Sequence, residues 1–234
     1  MIYAVVVAAA WLIWNLFFRI KVVGRENLPT QGAFVLVPNH ISAIDPVFVV
    51  IARFWGKRMV VMAKEELFKN AFLKWIFTQF GAVAVARGKG DTQMLDHVIE
   101  GCREGRGVLI FAEGTRSKNE GWPGKLKSGA FVVAAEAGAP IVPCRIIYCT
   151  KDREMHLFCR VKVCFGAPIS APHLGEEGKP SSAKLRETKH LVEDAWRQLY
   201  QENKLDWMPD QPLPQRREIR TRNGEEKLHE DTAG

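Results

Sequence analysis

At 234 residues, with 47% apolar and 25% charged side chains, the chain is long enough for one sizeable core and too apolar to be disordered over most of its length. A formal charge of +7 suits nucleic acid, anionic lipid or phosphorylated small molecules without choosing among them, while seven tryptophans and thirteen phenylalanines point towards lipid. Five cysteines, at 102, 144, 149, 159 and 164, are odd in number and lack CxxC or zinc spacing, so they read as reduced core thiols in a cytosol-facing protein.

Ile2 to Phe18 carries no charged residue. As a helix this run covers roughly 25 Å, a little short of a hydrocarbon core of about 30 Å, so it either barely spans a bilayer or lies near one face; a buried helix of a soluble domain is the other reading. No basic residue precedes it, which argues against a cleaved signal peptide. Arg19, Lys21 and Arg25 follow, which puts the body on the cytoplasmic side of a membrane. Residues 1–20 are therefore expected to anchor the protein.

From Gly32 onward short apolar runs alternate with longer amphipathic ones, the pattern of an α/β domain with a mixed central sheet flanked by helices. Strands are expected at 33–37, 59–63, 81–86, 107–111, 140–147 and 160–165, and helices at 46–56, 65–79, 91–104, 127–138 and 183–203. In the second helix Leu67, Phe68, Ala71, Phe72, Trp75, Ile76 and Phe77 form a broad apolar face that suits either the core or a membrane interface. The domain is expected to occupy 21–205. Beyond Leu205 the chain is polar, with Pro209, Pro212 and Pro214, and residues 206–234 read as a disordered tail.

Chemistry concentrates where strands end. Asn39-His40-Ile41-Ser42-Ala43-Ile44-Asp45 follows the apolar run 33–37. An imidazole takes a proton near neutral pH, and a carboxylate on its far nitrogen fixes the tautomer; a loop entering a helix near Asp45-Pro46 folds His40 and Asp45 together and makes Asp45 a candidate N-cap. Gly81 to Arg87, with Gly88-Lys89-Gly90-Asp91, is a strand opening into a glycine-rich basic loop, where Arg87 and Lys89 attract an anion; the GxxxxGK[ST] phosphate loop is absent. Phe111-Ala112-Glu113-Gly114-Thr115-Arg116-Ser117 again follows a strand. Arg116 suits bidentate phosphate contact, while Glu113 either orients a hydroxyl or pairs with Arg116. Lys125 and Lys127 add positive charge nearby if that loop folds back. Pro143 interrupts the run Ile141 to Arg145, as at a strand edge or bulge.

These blocks, in this order, resemble the PlsC-type 1-acylglycerol-3-phosphate acyltransferases over roughly residues 19–170. The resemblance rests on Asn39-His40-x4-Asp45, Lys64-Glu65-Glu66-Leu67-Phe68, Gly81 to Asp91, Phe111 to Ser117 and Pro140 to Cys144. It implies His40 as general base and Asp45 as its orienting partner. It also implies an acceptor site built from Arg87, Glu113, Gly114, Thr115, Arg116, Lys127 and Pro143. Ala84 stands where the family's second block usually has phenylalanine or proline, and Ala112 where the third usually has proline before its glutamate; both bear on loop shape and acceptor choice.

The implied reaction moves a fatty acyl group from an acyl-CoA or acyl carrier protein thioester to the sn-2 hydroxyl of lysophosphatidic acid. It uses no metal and no other cofactor, and it takes place at a membrane bilayer. Acyl transfer to another acceptor such as glycerol 3-phosphate, a catalytically silent lipid-binding protein and a nucleic-acid-binding protein are the rival readings. The last has only the net charge in its favour.

Overall fold

The computed structural model describes residues 2–53, 58–64, 68–85, 92–117, 121–175 and 178–212. Seven strands form one mixed sheet: β1 (Arg19–Val23), β2 (Phe34–Pro38), β3 (Val60–Lys64), β4 (Ala82–Val85), β5 (Gly107–Leu109), β6 (Ile141–Tyr148) and β7 (Arg160–Phe165), in the order β1-β7-β6-β2-β5-β3-β4. The run from β6 to β4 is parallel throughout. β7 turns back antiparallel to β6, and β1 pairs parallel with β7. Every residue of β2 and of β6 is buried, as expected of central strands covered on both faces.

The helices are α1 (Ile2–Phe17), α2 (Asp45–Arg53), α3 (Ala71–Gln79), α4 (Thr92–Arg103), α5 (Gly129–Ala137) and α6 (Ser182–Asn203). Side chains of β2 and β6 alternate between the two faces of the sheet. Phe34, Leu36, Cys144, Ile146 and Tyr148 join the core under α1 and α2, while Val35, Val37 and Ile141 join the core under α4, α5 and α6. The Trp196 indole, on α6, donates to the Val37 carbonyl at 3.0 Å, two residues before Asn39. One face of the sheet is thus tied to the strand end on which the first motif sits.

The α/β expectation holds, with local differences. β1 was not anticipated: Arg19 and Lys21 read as the flank of an anchor, yet Arg19-Ile20-Lys21-Val22 alternates as an edge strand should. β5 stops at Leu109 rather than at 111, although Ile110 still donates to the Leu36 carbonyl at 3.0 Å. α3 begins at Ala71; Glu65, Glu66 and Leu67 lie outside the described residues. Pro143 is not at an edge, since β6 is flanked by β7 and β2. Its carbonyl accepts from Gly166 N at 2.8 Å just where the β6–β7 pairing ends, so its missing N–H costs the ladder little.

The separate membrane-anchoring segment also needs correction. α1 is packed against α2 and buries Val7 and Ala10 in the core, and among the described residues no helix is long and apolar enough to cross a membrane. At the other end, packing extends past Leu205: Met208 is buried and the Tyr200 hydroxyl donates to the Pro209 carbonyl at 2.8 Å. Residues 213–234, most of the expected tail, lie outside the described residues.

β2 and β5 meet tightly at Phe34 and Gly107, where a Cβ on the glycine would come within 2.4 Å of the phenylalanine ring. Gly107→Ala is therefore expected to cost about 1–3 kcal/mol by overpacking. Urea unfolding measures this, and an unchanged midpoint would contradict the close approach.

Candidate active site

The site lies at the carboxyl ends of β2 and β5, where chain leaving the sheet has backbone groups to satisfy. Asn39 is fully buried and closes the gap between β2 and β6. Its side chain accepts from Ile146 N at 2.7 Å and donates to the Ile146 carbonyl at 3.3 Å, so the amide pairs with β6 as a further strand residue would. His40 follows, held at both ends of its peptide unit. Its N–H donates to Glu113 Oε1 at 2.7 Å, and its carbonyl accepts from Ser117 N at 2.7 Å.

The loop then folds back on the start of α2. Asp45, 0% exposed, accepts at Oδ2 from Ile41 N at 2.6 Å, from Ser42 N at 2.8 Å and from His40 Nδ1 at 2.9 Å. Tyr148, from β6, donates its hydroxyl to Oδ1. Asp45 is the first residue of α2 rather than its N-cap, and its carboxylate gathers amides on the preceding loop. An ionised carboxylate only accepts, so Nδ1 of His40 carries the proton and Nε2 keeps its lone pair. The Tyr148 phenol is pushed well above its usual range by burial and then by the Asp45 charge, so it remains a donor.

Phe111 turns out of the sheet and lies against the imidazole, ring centroids 4.1 Å apart at 31°. His40 is thus fixed by Asp45 at one edge and by an aromatic ring on one face, with its side chain 18% exposed.

Glu113, expected to orient an acceptor hydroxyl or to pair with Arg116, is held instead by backbone amides and, among the described residues, makes no ion pair with Arg116. It is buried, and its second oxygen accepts from Gly124 N at 2.6 Å. A Cβ on Gly124 would come within 2.8 Å of that oxygen, so the close approach needs glycine. Burial raises the Glu113 pKa, opposed by the His40 and Gly124 amides and by the His40 and Arg145 charges. Arg145, on β6, is fully buried; burial lowers its pKa to about 10, and Glu113 is the charge that most opposes the fall. Its guanidinium carbon sits 5.2 Å from the centre of the Tyr200 ring, while Nε and Nη1 have no hydrogen-bond partner among the described residues.

Of the residues singled out from the sequence, the structure brings together His40, Asp45, Glu113, Gly114 and Lys127. Gly114 has φ +72°, and a Cβ there would lie 2.6 Å from Lys127 Nζ, so the lysine side chain covers this turn; Lys127 N also donates to the Ala112 carbonyl at 2.8 Å. Gly114, Thr115, Arg116 and Lys127 are exposed, a basic rim beside the buried pair. Pro143 is buried in β6 opposite Val37, one residue before the strand position that pairs with Pro38. Arg87 lies outside the described residues. Tyr148, Phe111, Gly124 and Arg145 were not anticipated. The cysteines are free, and burial raises all their pKa values, Cys102 to about 11 and Cys164 to about 12, so none is poised as a nucleophile.

Glu113→Gln replaces one acceptor oxygen by an amide NH2, which only donates, so one of the two backbone N–H groups is left unsatisfied at an expected cost of about 1–3 kcal/mol. The raised pKa also fixes a sign. Between the unfolded and folded values the native state holds a proton that the unfolded chain has lost, so stability falls as pH rises through that window. Thermal unfolding as a function of pH should show this decline in the wild type and its absence in Glu113→Gln. An identical slope in both proteins would remove Glu113 from this role.

A family model described as acyltransferase matches residues 19–147. A chloroplastic 1-acyl-sn-glycerol-3-phosphate acyltransferase of Arabidopsis thaliana is 35% identical over 130 residues, 54% of this chain and 35% of the relative. The corresponding Brassica napus protein is 33% identical, with 37% of its length covered, so the chain spans about a third of either relative. A 1-acyl-sn-glycerol-3-phosphate acyltransferase of Bacillus subtilis is 28% identical over 187 residues, 80% of this chain and 90% of the relative. The crystal structure of the acyltransferase PlsC from Thermotoga maritima shares the fold, with a TM-score of 0.64 at 24% identity over 87% of this chain and 79% of the other. Because the family model matches more than half of the chain, in a span that includes His40, Asp45 and Glu113, the protein belongs to the acyltransferase family.

Proposed function

We propose that the protein transfers a fatty acyl group from an acyl thioester to the sn-2 hydroxyl of 1-acylglycerol 3-phosphate, giving phosphatidic acid for phospholipid synthesis. The observation that carries this reading is the His40 Nδ1 to Asp45 contact at 2.9 Å, which leaves Nε2 as a base beside an exposed basic rim. The names of the relatives supply the acceptor, since several are 1-acyl-sn-glycerol-3-phosphate acyltransferases.

In this mechanism Nε2 of His40 takes the proton of the acceptor hydroxyl as its oxygen attacks the thioester carbonyl. Asp45 stabilises the imidazolium so formed, and the imidazolium returns the proton to the departing thiolate as the tetrahedral intermediate collapses. No acyl-enzyme is needed, and the thioester of coenzyme A or of acyl carrier protein is the only co-substrate. The amides of Ile41 and Ser42 are committed to Asp45 and that of His40 to Glu113, so donors to the oxyanion come from other groups. Arg87, Arg116 and Lys127 hold the acceptor phosphate, with Gly114 and Thr115 shaping the turn that presents it. Glu113 and Pro143 serve the acceptor site indirectly, through loop and sheet.

The protein works at a membrane with its catalytic body facing the cytoplasm. Support comes from α1, whose outer face exposes Val5, Leu12 and Leu16, and from the exposed Arg19, Lys21 and Arg25 just after it, which suit the anionic headgroups of a cytoplasmic leaflet. α1 then lies in the interface rather than across the bilayer.

Thiol release from acyl-CoA by purified protein, with and without lysophosphatidic acid, tests the reaction. Release should depend on the acceptor, and His40→Ala should lower kcat by about 10² to 10⁴. Release unchanged in His40→Ala would remove the base; release driven equally by glycerol 3-phosphate would reassign the acceptor. Arg116→Ala and Lys127→Ala should raise the acceptor KM with kcat little changed, and acceptor KM values equal to wild type would defeat the phosphate assignment.

A further inference from the structure

Phe158 holds a conformation that bulky residues avoid: its φ is +64° and it is 64% exposed. It lies in the connection between β6 and β7, which is tightly tied to itself. Thr150 Oγ1 donates to the Glu154 carbonyl at 2.8 Å, Asp152 pairs with His156 at 2.6 Å, and Cys159 N donates to the His156 carbonyl at 3.2 Å. The tip is also joined to α1: Phe158 N donates to the Phe17 carbonyl at 2.9 Å, and the two rings lie 6.2 Å apart. A strained backbone therefore presents an aromatic ring to solvent, beside Leu157, itself 60% exposed.

These side chains continue the outer face of α1. Leu12 and Leu16, and Ile13 and Phe17, are one turn apart and exposed, while Val7 and Ala10 face the core. Leu16, Phe17, Leu157 and Phe158 thus join the two elements in one apolar surface. Both the tip and α1 fall outside the span matched by the family model.

The topology places this surface at the catalytic end of the sheet. β6 runs parallel to β2 and ends at Tyr148, whose hydroxyl reaches Asp45, and the tip follows within ten residues. β1 pairs in parallel with β7, Arg19 opposite Arg160, so α1 also ends at this edge. Arg19, Lys21, Lys151 and Arg160 are exposed around the apolar residues. The acidic groups in the tip are Glu154 and Asp152, the latter already paired with His156. Two copies of a chain of charge +7 meeting here would oppose these cations to one another, whereas an anionic bilayer would neutralise them.

We infer that Leu157 and Phe158 form a wedge that, with the outer face of α1, inserts into the surface of an anionic membrane and holds the catalytic end of the sheet against the lipid. The inference rests on the acyl-transfer reading for its choice of a lipid partner. The backbone strain at Phe158 is the cost of presenting the ring outward. Asparagine tolerates this conformation better, so a membrane role and a folding role predict opposite effects of replacing the ring.

The test is co-sedimentation with sucrose-loaded vesicles of equal parts phosphatidylglycerol and phosphatidylcholine, comparing wild type with Leu157→Ser/Phe158→Asn. The double variant should partition about tenfold or more weakly, melt no lower, and keep its thiol-release rate on a short-chain acceptor dispersed as monomers. Vesicles of phosphatidylcholine alone should bind the wild type more weakly than the mixed vesicles. Unchanged partitioning of the variant overturns the inference, as does a melting temperature that falls together with binding. A wild-type dimer that dissociates in the variant also overturns it, because the occupant is then a second copy. Ring-dependent vesicle binding by a wild type that releases no thiol would leave the wedge standing and remove the acyl-transfer reading instead.

Discussion

The carboxylate of Asp45 is the constraint on which the site depends. A buried carboxylate without partners would be costly, and here it is surrounded by donors from three sources: two amides of its own loop, the His40 ring and the Tyr148 hydroxyl. The same contacts that make its burial tolerable fix the loop between β2 and α2, so the charge that orients the His40 ring also folds the backbone carrying it. Removing any one donor would loosen the others, because they share one carboxylate.

A second buried carboxylate, Glu113, repeats this economy on the other side of His40. It bridges the His40 amide and the Gly124 amide, joining the first motif to the third and to the loop that follows. Behind it lies Arg145, buried against Tyr200, and the Tyr200 ring packs edge-on against Trp122 at 5.1 Å. The geometry of the site therefore depends on β6 and α6 as much as on the loops, with Asn39 joining β2 to β6 and Trp196 joining α6 to β2. Exposed cations at Arg116 and Lys127 stand apart from this rigid set, where a phosphate can reach them without burying an unpaired charge.

The alternation of apolar runs made the α/β class legible, and strand ends marked where polar residues would gather. His40 and Asp45 were legible as a pair because a loop entering a helix at Asp45-Pro46 can fold them together and because their spacing resembles the family's first motif. Local reading failed wherever the deciding partner lies far along the chain. Tyr148 is 103 residues from Asp45, and the two amides that Glu113 bridges lie 73 and 11 residues from it. Phe111 reads as the end of a strand, whereas it lies beyond β5 and its ring packs on His40, a contact with a residue far earlier in the chain. β1 carried a visible signal in its alternation, which the adjacent apolar helix and its basic flank obscured.

The most direct test of the account is the tautomer of His40, read by ¹⁵N NMR of imidazole-labelled protein above the histidine titration. The account predicts a proton on Nδ1, held by Asp45, and an unprotonated Nε2, with this preference weakened in Asp45→Asn. A wild-type imidazole protonated at Nε2 would contradict it, because the proposed base would then have no lone pair to offer an acceptor hydroxyl.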